Sequence, residues 1–165
     1  LCLGIMVVLK NDKSSHVIVC VQKAIKPDYL NAFGMDCFSN EVHWLNKLGT
    51  SGIVPKILSL DRKTRTIVTE YVGEPVRKYT LPPDWQTQRD RILAVLAKHN
   101  CRHNDIKPTE ILVFNGKLTL IDFGWASLAS EPNPKNYPPQ LGLKWRCPSG
   151  YDDRYSFNAS IASLV

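Results

Sequence analysis

Runs of β-prone apolar residues cover Met6 to Lys10 and His16 to Ile25, on either side of the polar run Asn11-Asp12-Lys13-Ser14-Ser15, which predicts an opening β-hairpin. A helical period follows. Phe38, Val42, Leu45 and Leu48 fall along one face of a helix over 38–48, with Ser39 as its cap and Gly49 to Gly52 as its stop. Strands are predicted near Pro55 to Leu60 and Thr66 to Val72, followed by a proline-rich connector at Leu81-Pro82-Pro83. Helical spacing resumes from Asp84 to Lys98 through Ile92, Leu93, Val95 and Leu96. Two further apolar strands, Ile111 to Phe114 and Leu118 to Ile121, flank Asn115-Gly116, a dipeptide suited to a tight hairpin turn. Glu131 to Pro139 holds four prolines and is expected to be irregular surface, and no internal repeat is present.

The last hairpin carries an acidic residue at each mouth. Asp105 precedes its first strand and Asp122 follows its second, seventeen residues later, so folding back brings the two toward one ligand. At 165 residues with 44 % hydrophobic content, the chain can bury a real core as one domain or two small lobes. Its net charge of +6 suits an anionic ligand such as a nucleotide or acidic glycan. The basic residues are scattered and the aromatics do not interleave with them, so no nucleic-acid partner is expected. Five cysteines, at 2, 20, 37, 101 and 147, show no metal-ligand spacing, and the odd count points to reduced thiols and a cytoplasmic location. Leu1 to Leu9 is apolar but much shorter than the ~20 residues a bilayer requires, so it reads as a strand and no membrane partner is expected.

The run His-Asn-Asp-Ile-Lys-Pro-x-x-Ile-Leu-Val from His103 to Val113, followed by Ile121-Asp122-Phe123-Gly124, resembles the catalytic loop and metal-binding triplet of the protein-kinase-like superfamily. The resemblance implies an α+β, bilobal protein-kinase-like fold. Residues 1–75 would form a β-rich N-lobe with one helix and 76–165 a partial helical C-lobe, with the boundary near Gly73 to Leu81, together making one catalytic domain. Such a domain usually takes roughly 250 residues, beyond the common domain size, and the start at Leu1 and apolar finish at Ile161 to Val165 favour a fragment.

The resemblance further implies an ATP- and Mg2+-dependent phosphotransferase that moves the γ-phosphate to a hydroxyl acceptor. Asp105 would be the base, Lys107 the contact to the moving phosphate and Asp122 the metal ligand. Lys23, at the end of Val21-Gln22-Lys23, would hold the nucleotide's phosphates, braced by Glu41 eighteen residues on. Lys26 in Ala24-Ile25-Lys26 is the alternative, and as residues alone either lysine reads as a solvated strand end. Thr69-Glu70-Tyr71-Val72-Gly73 resembles the segment between lobes, with Thr69 at the gate of the adenine pocket and Glu70 and Val72 offering main-chain contacts. His103 and Phe123 would be props packed near Leu45. Asp153 would anchor the catalytic loop from the next helix, with Asp152 as a helix cap the competing reading.

Three departures from the pattern bear on activity. Glu110 stands where the superfamily has an asparagine that binds a second metal, although a carboxylate is also a hard oxygen donor suited to Mg2+. No glycine-rich phosphate loop is present. Asn104 replaces the arginine before the catalytic aspartate and no Ala-Pro-Glu triplet follows, which predicts activity independent of a phosphorylated activation loop. His-Asn-Asp with Trp125 after the triplet is similar to atypical kinase-like enzymes, so protein serine or threonine and a small molecule or sugar both stay open as acceptors. The alternative is a pseudokinase, binding nucleotide or scaffolding a partner without turnover.

Overall fold

The structure is a computed structural model and describes residues 3–10, 17–25, 36–132 and 144–164. Two strands rich in β-branched residues, β1 (Leu3–Lys10) and β2 (Val17–Ala24), pair antiparallel, with Lys10 opposite Val17 and Gly4 opposite Lys23. The turn expected over 11–15 and the alternative lysine, Lys26, lie outside the described residues. Strands β3 (Ile57–Asp61) and β4 (Thr66–Glu70) complete an antiparallel sheet in the order β1-β2-β4-β3. Within it Lys23 faces Ile67 and Val21 faces Thr69, so period-two alternation sets these four on one side of the sheet.

Helix α1 (Cys37–Leu48) buries Phe38, Val42, Leu45 and Leu48 as the sequence periodicity requires, and adds Cys37, Glu41 and Trp44. Its cap is Asp36 and not Ser39. The Asp36 carboxylate accepts from the Ser39 amide at 3.3 Å and from the Ser39 hydroxyl at 2.6 Å, which places Ser39 inside the first turn. A carboxylate also favours the positive helix end, and Arg65 Nη2 holds the same Asp36 oxygen at 2.6 Å. Helix α2 (Trp85–Lys98) follows the proline connector and buries Ile92 and Leu96.

A second sheet takes the order β5-β7-β8, from β5 (Glu74–Pro75), β7 (Ile111–Phe114) and β8 (Lys117–Leu120). Asn115 at φ 48° and Gly116 at φ 74° are both left-handed, the backbone of a turn whose twist matches its flanking strands. Gly73, at φ 106°, leads into β5, and a Cβ on it would stand 2.0 Å from the Val113 carbonyl oxygen, so only glycine fits. Short strands β6 (Cys101–Arg102) and β9 (Ser127–Leu128) pair antiparallel beside the hairpin. Helix α3 (Asp153–Ala162) closes the described chain.

One buried cluster runs through these elements, joining Phe38, Leu45 and Leu48 of α1, Ile92 and Leu96 of α2, Ile111 and Leu120 of the hairpin, and Phe157 of α3. Each such side chain contributes about 1.5–3 kcal/mol when fully buried, so the elements carrying the acidic residues share a common support. Among the described residues the architecture is α+β, with antiparallel sheets and three helices, compatible with a small bilobal kinase-like fold. Among the described residues no helix is long and apolar enough to cross a membrane.

Candidate active site

Lys23 sits on the sheet side that faces α1, and its ammonium bridges two carboxylates from distant parts of the chain. It donates to Glu41 Oε2 at 2.6 Å and to Asp122 Oδ1 at 2.7 Å. Glu41 lies one turn into α1, on the buried face next to Val42 and Leu45, which is why a helical glutamate is only 4 % exposed. Asp122 takes a left-handed backbone, φ 66° and ψ 64°, at the bend between β8 and the short helical turn of Phe123–Trp125. Aspartate tolerates that region better than most residues, and a strained bend held by its surroundings is common at functional sites.

The second group comes from the loop after β6. Lys107 donates to Asp105 Oδ2 at 2.5 Å and lies 3.2 Å from Glu110 Oε1. The remaining oxygen of Asp105, Oδ1, is buried without a hydrogen-bond partner among the described residues. A buried acceptor left in that state costs about 1–3 kcal/mol, and a carboxylate more, unless something donates to it. Glu110 also accepts from the Thr109 hydroxyl at 3.0 Å.

Burial and charge divide the carboxyls. Burial lifts Glu41 to about 7, with Lys23 opposing and Asp122 and Glu110 adding to the rise. Burial and the Asp122 charge raise Glu110 as well, against the pull of Lys107 and Lys23. At Asp122 burial is overcome by Lys23, through both its charge and its hydrogen bond, so this carboxyl stays below its usual range. Burial disfavours the Lys107 cation, but Glu110 and Asp105 outweigh it and push its pKa up. Lys107 therefore keeps its charge while Asp122 keeps its own, an arrangement that can grip a polyanion and a cation together.

The loop is anchored from below. Asp153 accepts from the His103 amide at 2.7 Å and the Asn104 amide at 3.0 Å, while Asp152 caps α3 by accepting from the Tyr155 amide at 3.0 Å. The two readings of the Asp-Asp pair thus both hold, one residue each. His103 is fully buried, its Nε2 lies 2.9 Å from the Ile121 carbonyl, and its ring meets Phe123 edge-on with centroids 4.5 Å apart. It is packed as a prop, with Nε2 turned to a backbone carbonyl.

Thr69 and Glu70 end β4, and Val72 follows just before Gly73. Thr69 shares the sheet side of Lys23, two residues along from its partner Ile67. The Glu70 amide and side chain are both engaged with the Lys56 backbone, at 3.0 and 3.1 Å. All three positions are half-buried. Among the described residues no three His, Cys, Asp or Glu side chains gather as a ready metal cage. Mg2+ at a phosphate site is held by one or two carboxylates with the rest supplied by the substrate, so the Asp122 and Glu110 pair remains a chemically suitable donor set.

Sequence reasoning passed over Asn40, Asn100 and Arg102. The Asn40 amide donates to the carbonyls of Ala126 at 2.8 Å, Gly124 at 2.9 Å and Phe123 at 3.3 Å. Its adjacency to Glu41 was the only signal available. Asn104, read as a loss, is left-handed at φ 68°, a backbone that asparagine adopts more readily than most side chains.

No protein-family model matches the chain. Among curated proteins, cyclin-dependent kinase-like 5 of Mus musculus is 29 % identical over 152 residues, covering 84 % of this chain and 16 % of that protein. The Homo sapiens protein of the same name gives the same identity and coverage. The chain thus spans 16 % of the length of the relatives it matches, and the likeness to a protein kinase is distant. Taken with the fold, this similarity supports a place in the kinase-like superfamily at most.

Proposed function

We propose that this chain is an ATP- and Mg2+-dependent phosphotransferase with residues 1–75 and 76–165 as its two lobes. The observation that carries the reading is Lys23 held between Glu41 and Asp122, a cation poised where a nucleotide's phosphates would meet a metal-binding carboxylate. Asp122, with Glu110 beside it in the electrostatic network, would hold Mg2+, which neutralises charge on the phosphates when bound. Lys23 takes phosphate oxygens, and Glu41 keeps its ammonium in place. Thr69, Glu70 and Val72 would border the adenine ring.

Asp105 is the base. Its unpartnered Oδ1 is the natural acceptor for a hydroxyl proton, while Lys107 on Oδ2 orients the carboxylate and offers positive charge to the moving phosphoryl group. The hydroxyl oxygen attacks phosphorus as its proton passes to Asp105, and the bond to the leaving diphosphate breaks. Protein and small-molecule acceptors both satisfy this chemistry.

A second reading, nucleotide binding without turnover, has Glu110 in its favour, because that carboxylate draws Lys107 away from exclusive contact with Asp105. ADP release from ATP with a protein mixture and a panel of sugars as acceptors separates the two. Turnover that disappears on chelating Mg2+ supports the transferase; a thermal shift with Mg-ATP and no ADP under any acceptor supports the rival.

A further inference from the structure

The chain after Asp122 is tied down by an unusual set of donors. Asn40 on α1 spends the two hydrogens of its amide on three carbonyls of residues 123–126, so the 2.8 and 2.9 Å bonds are the strong ones. From the other side come alternate residues of the stretch leading to the catalytic loop. Asn100 donates to the Ser130 hydroxyl at 2.7 Å, accepts from the Ser130 amide at 2.9 Å, and its carbonyl accepts from the Ala129 amide at 2.9 Å. Arg102 Nη2 donates to the carbonyls of Leu128 and Glu131. Asn104 donates to the Trp125 carbonyl at 2.9 Å and the Ser127 hydroxyl at 3.0 Å.

Every acceptor in this set is a carbonyl or a hydroxyl. Residues 100, 102 and 104 lie in and beside the β6–β9 ladder, Asn100 and Asn104 with left-handed backbones at φ 54° and 68°, and each meets a different part of the ribbon. Asn40 and Glu41 are neighbours, so α1 grips Asp122 through Lys23 and grips the ribbon after it through the amide. An outward move of α1 breaks both at once.

We propose that Asn40, Asn100, Arg102 and Asn104 are positioning residues that hold the ribbon 123–131 in its working place constitutively, with no phosphate on that ribbon required. This rests on the phosphotransferase reading for its catalytic consequence but not for its structural one. Arg102 Nη2 is already committed to carbonyls, its Nε being buried without a partner among the described residues, and the hydroxyls of Ser127 and Ser130 are already accepting. A staple aimed at uncharged carbonyls and hydroxyls therefore does the work that charge pairing does where a ribbon is switched by modification.

The test measures hydrogen exchange of the 123–131 amides together with kcat and KM for ATP, in wild type, Asn40→Asp and Asn104→Gly. Aspartate keeps the shape of Asn40 and turns its donors into acceptors, while glycine keeps the left-handed backbone of position 104. Exchange over 123–131 should rise about tenfold or more with α2 unchanged, and kcat should fall about tenfold with KM for ATP altered less than about twofold. Phosphatase treatment of wild type should leave kcat as it was. Unchanged exchange in both variants, or loss of wild-type activity on phosphatase treatment, overturns the proposal. If wild type shows no turnover while exchange rises in the variants, the transferase reading fails and the staple stands. Should Asn40→Asp fail to fold, Asn100→Gly removes only the Ser130 pairing, and faster exchange confined to 127–131 supports the proposal while no change refutes it.

Discussion

The two halves of the site are built with different chemistry. Lys23, Glu41 and Asp122 meet through charge, with one ammonium shared between two carboxylates at 2.6 and 2.7 Å. The ribbon over 123–131 is held by amides and a guanidinium on neutral acceptors. Charged contacts in a partly solvated cleft are easily exchanged for those of an incoming polyanion, because what the ammonium loses from one carboxylate it regains from a phosphate. Bonds to backbone carbonyls have no such competitor. The molecule thus keeps its charge-paired contacts and its shape-keeping contacts in separate places.

The largest effect should come from removing charge at the first of these. Asp122→Asn keeps the left-handed backbone that alanine would strain, and should abolish Mg2+-dependent ADP production while leaving the thermal midpoint close to wild type. Full activity in this variant would falsify the assignment of Asp122. Asp105→Asn should cost about 10²-fold or more in kcat, with nucleotide affinity retained, in a steady-state assay; a loss confined to KM would remove it from the role of base.

Glu41 sharpens the contrast through pH. Burial raises its carboxyl from 4.5 to about 7, so the folded state holds that proton more tightly than the unfolded chain does. The stability this contributes is complete below about 4.5 and is lost as pH rises through about 7. The ion pair with Lys23 has the opposite dependence, since it needs the carboxylate. kcat/KM for ATP should therefore rise with pH up to about 7, and Glu41→Gln should flatten that limb and also flatten the fall of the thermal midpoint over the same interval. A wild-type profile level across pH 5 to 8 would argue against it. The smallest effect is that of salt. Going from about 0.1 M to about 1 M cuts the screening length from roughly 10 to 3 Å, so Mg-ATP binding should weaken several-fold while exchange over 123–131 changes less than about twofold.

The hairpin and both long helices were legible because each depends on local chemistry. Asn115-Gly116 supplies two positive φ values within two residues, and Phe38, Val42, Leu45 and Leu48 repeat at helical spacing within twelve. The helix start was misplaced because Ser39 and Asp36 are both good caps, and only Arg65, from β-strand surroundings, tips the choice to Asp36. Strands β5, β6 and β9 span two residues each and exist only because a partner far along the chain pairs with them. That Lys23 pairs with Glu41 was expected from the resemblance, whereas the contacts of Lys23 with Asp122 and of Lys107 with Asp105 were not foreseen. The staple was not, since an asparagine that serves backbone carbonyls 83 to 86 residues away leaves no pattern of side-chain types.

Asp153 has a consequence for how the molecule assembles. The two amides it receives belong to His103 and Asn104, 50 and 49 residues earlier, so the bend that presents Asp105 is finished only when the last helix docks. Contacts of such long sequence separation pay their loop-closure entropy late in folding. A chain interrupted before Asp152 would carry every acidic group of the cleft and still lack the bend that aims them, which makes α3 a maturation step for the site as much as a piece of its wall.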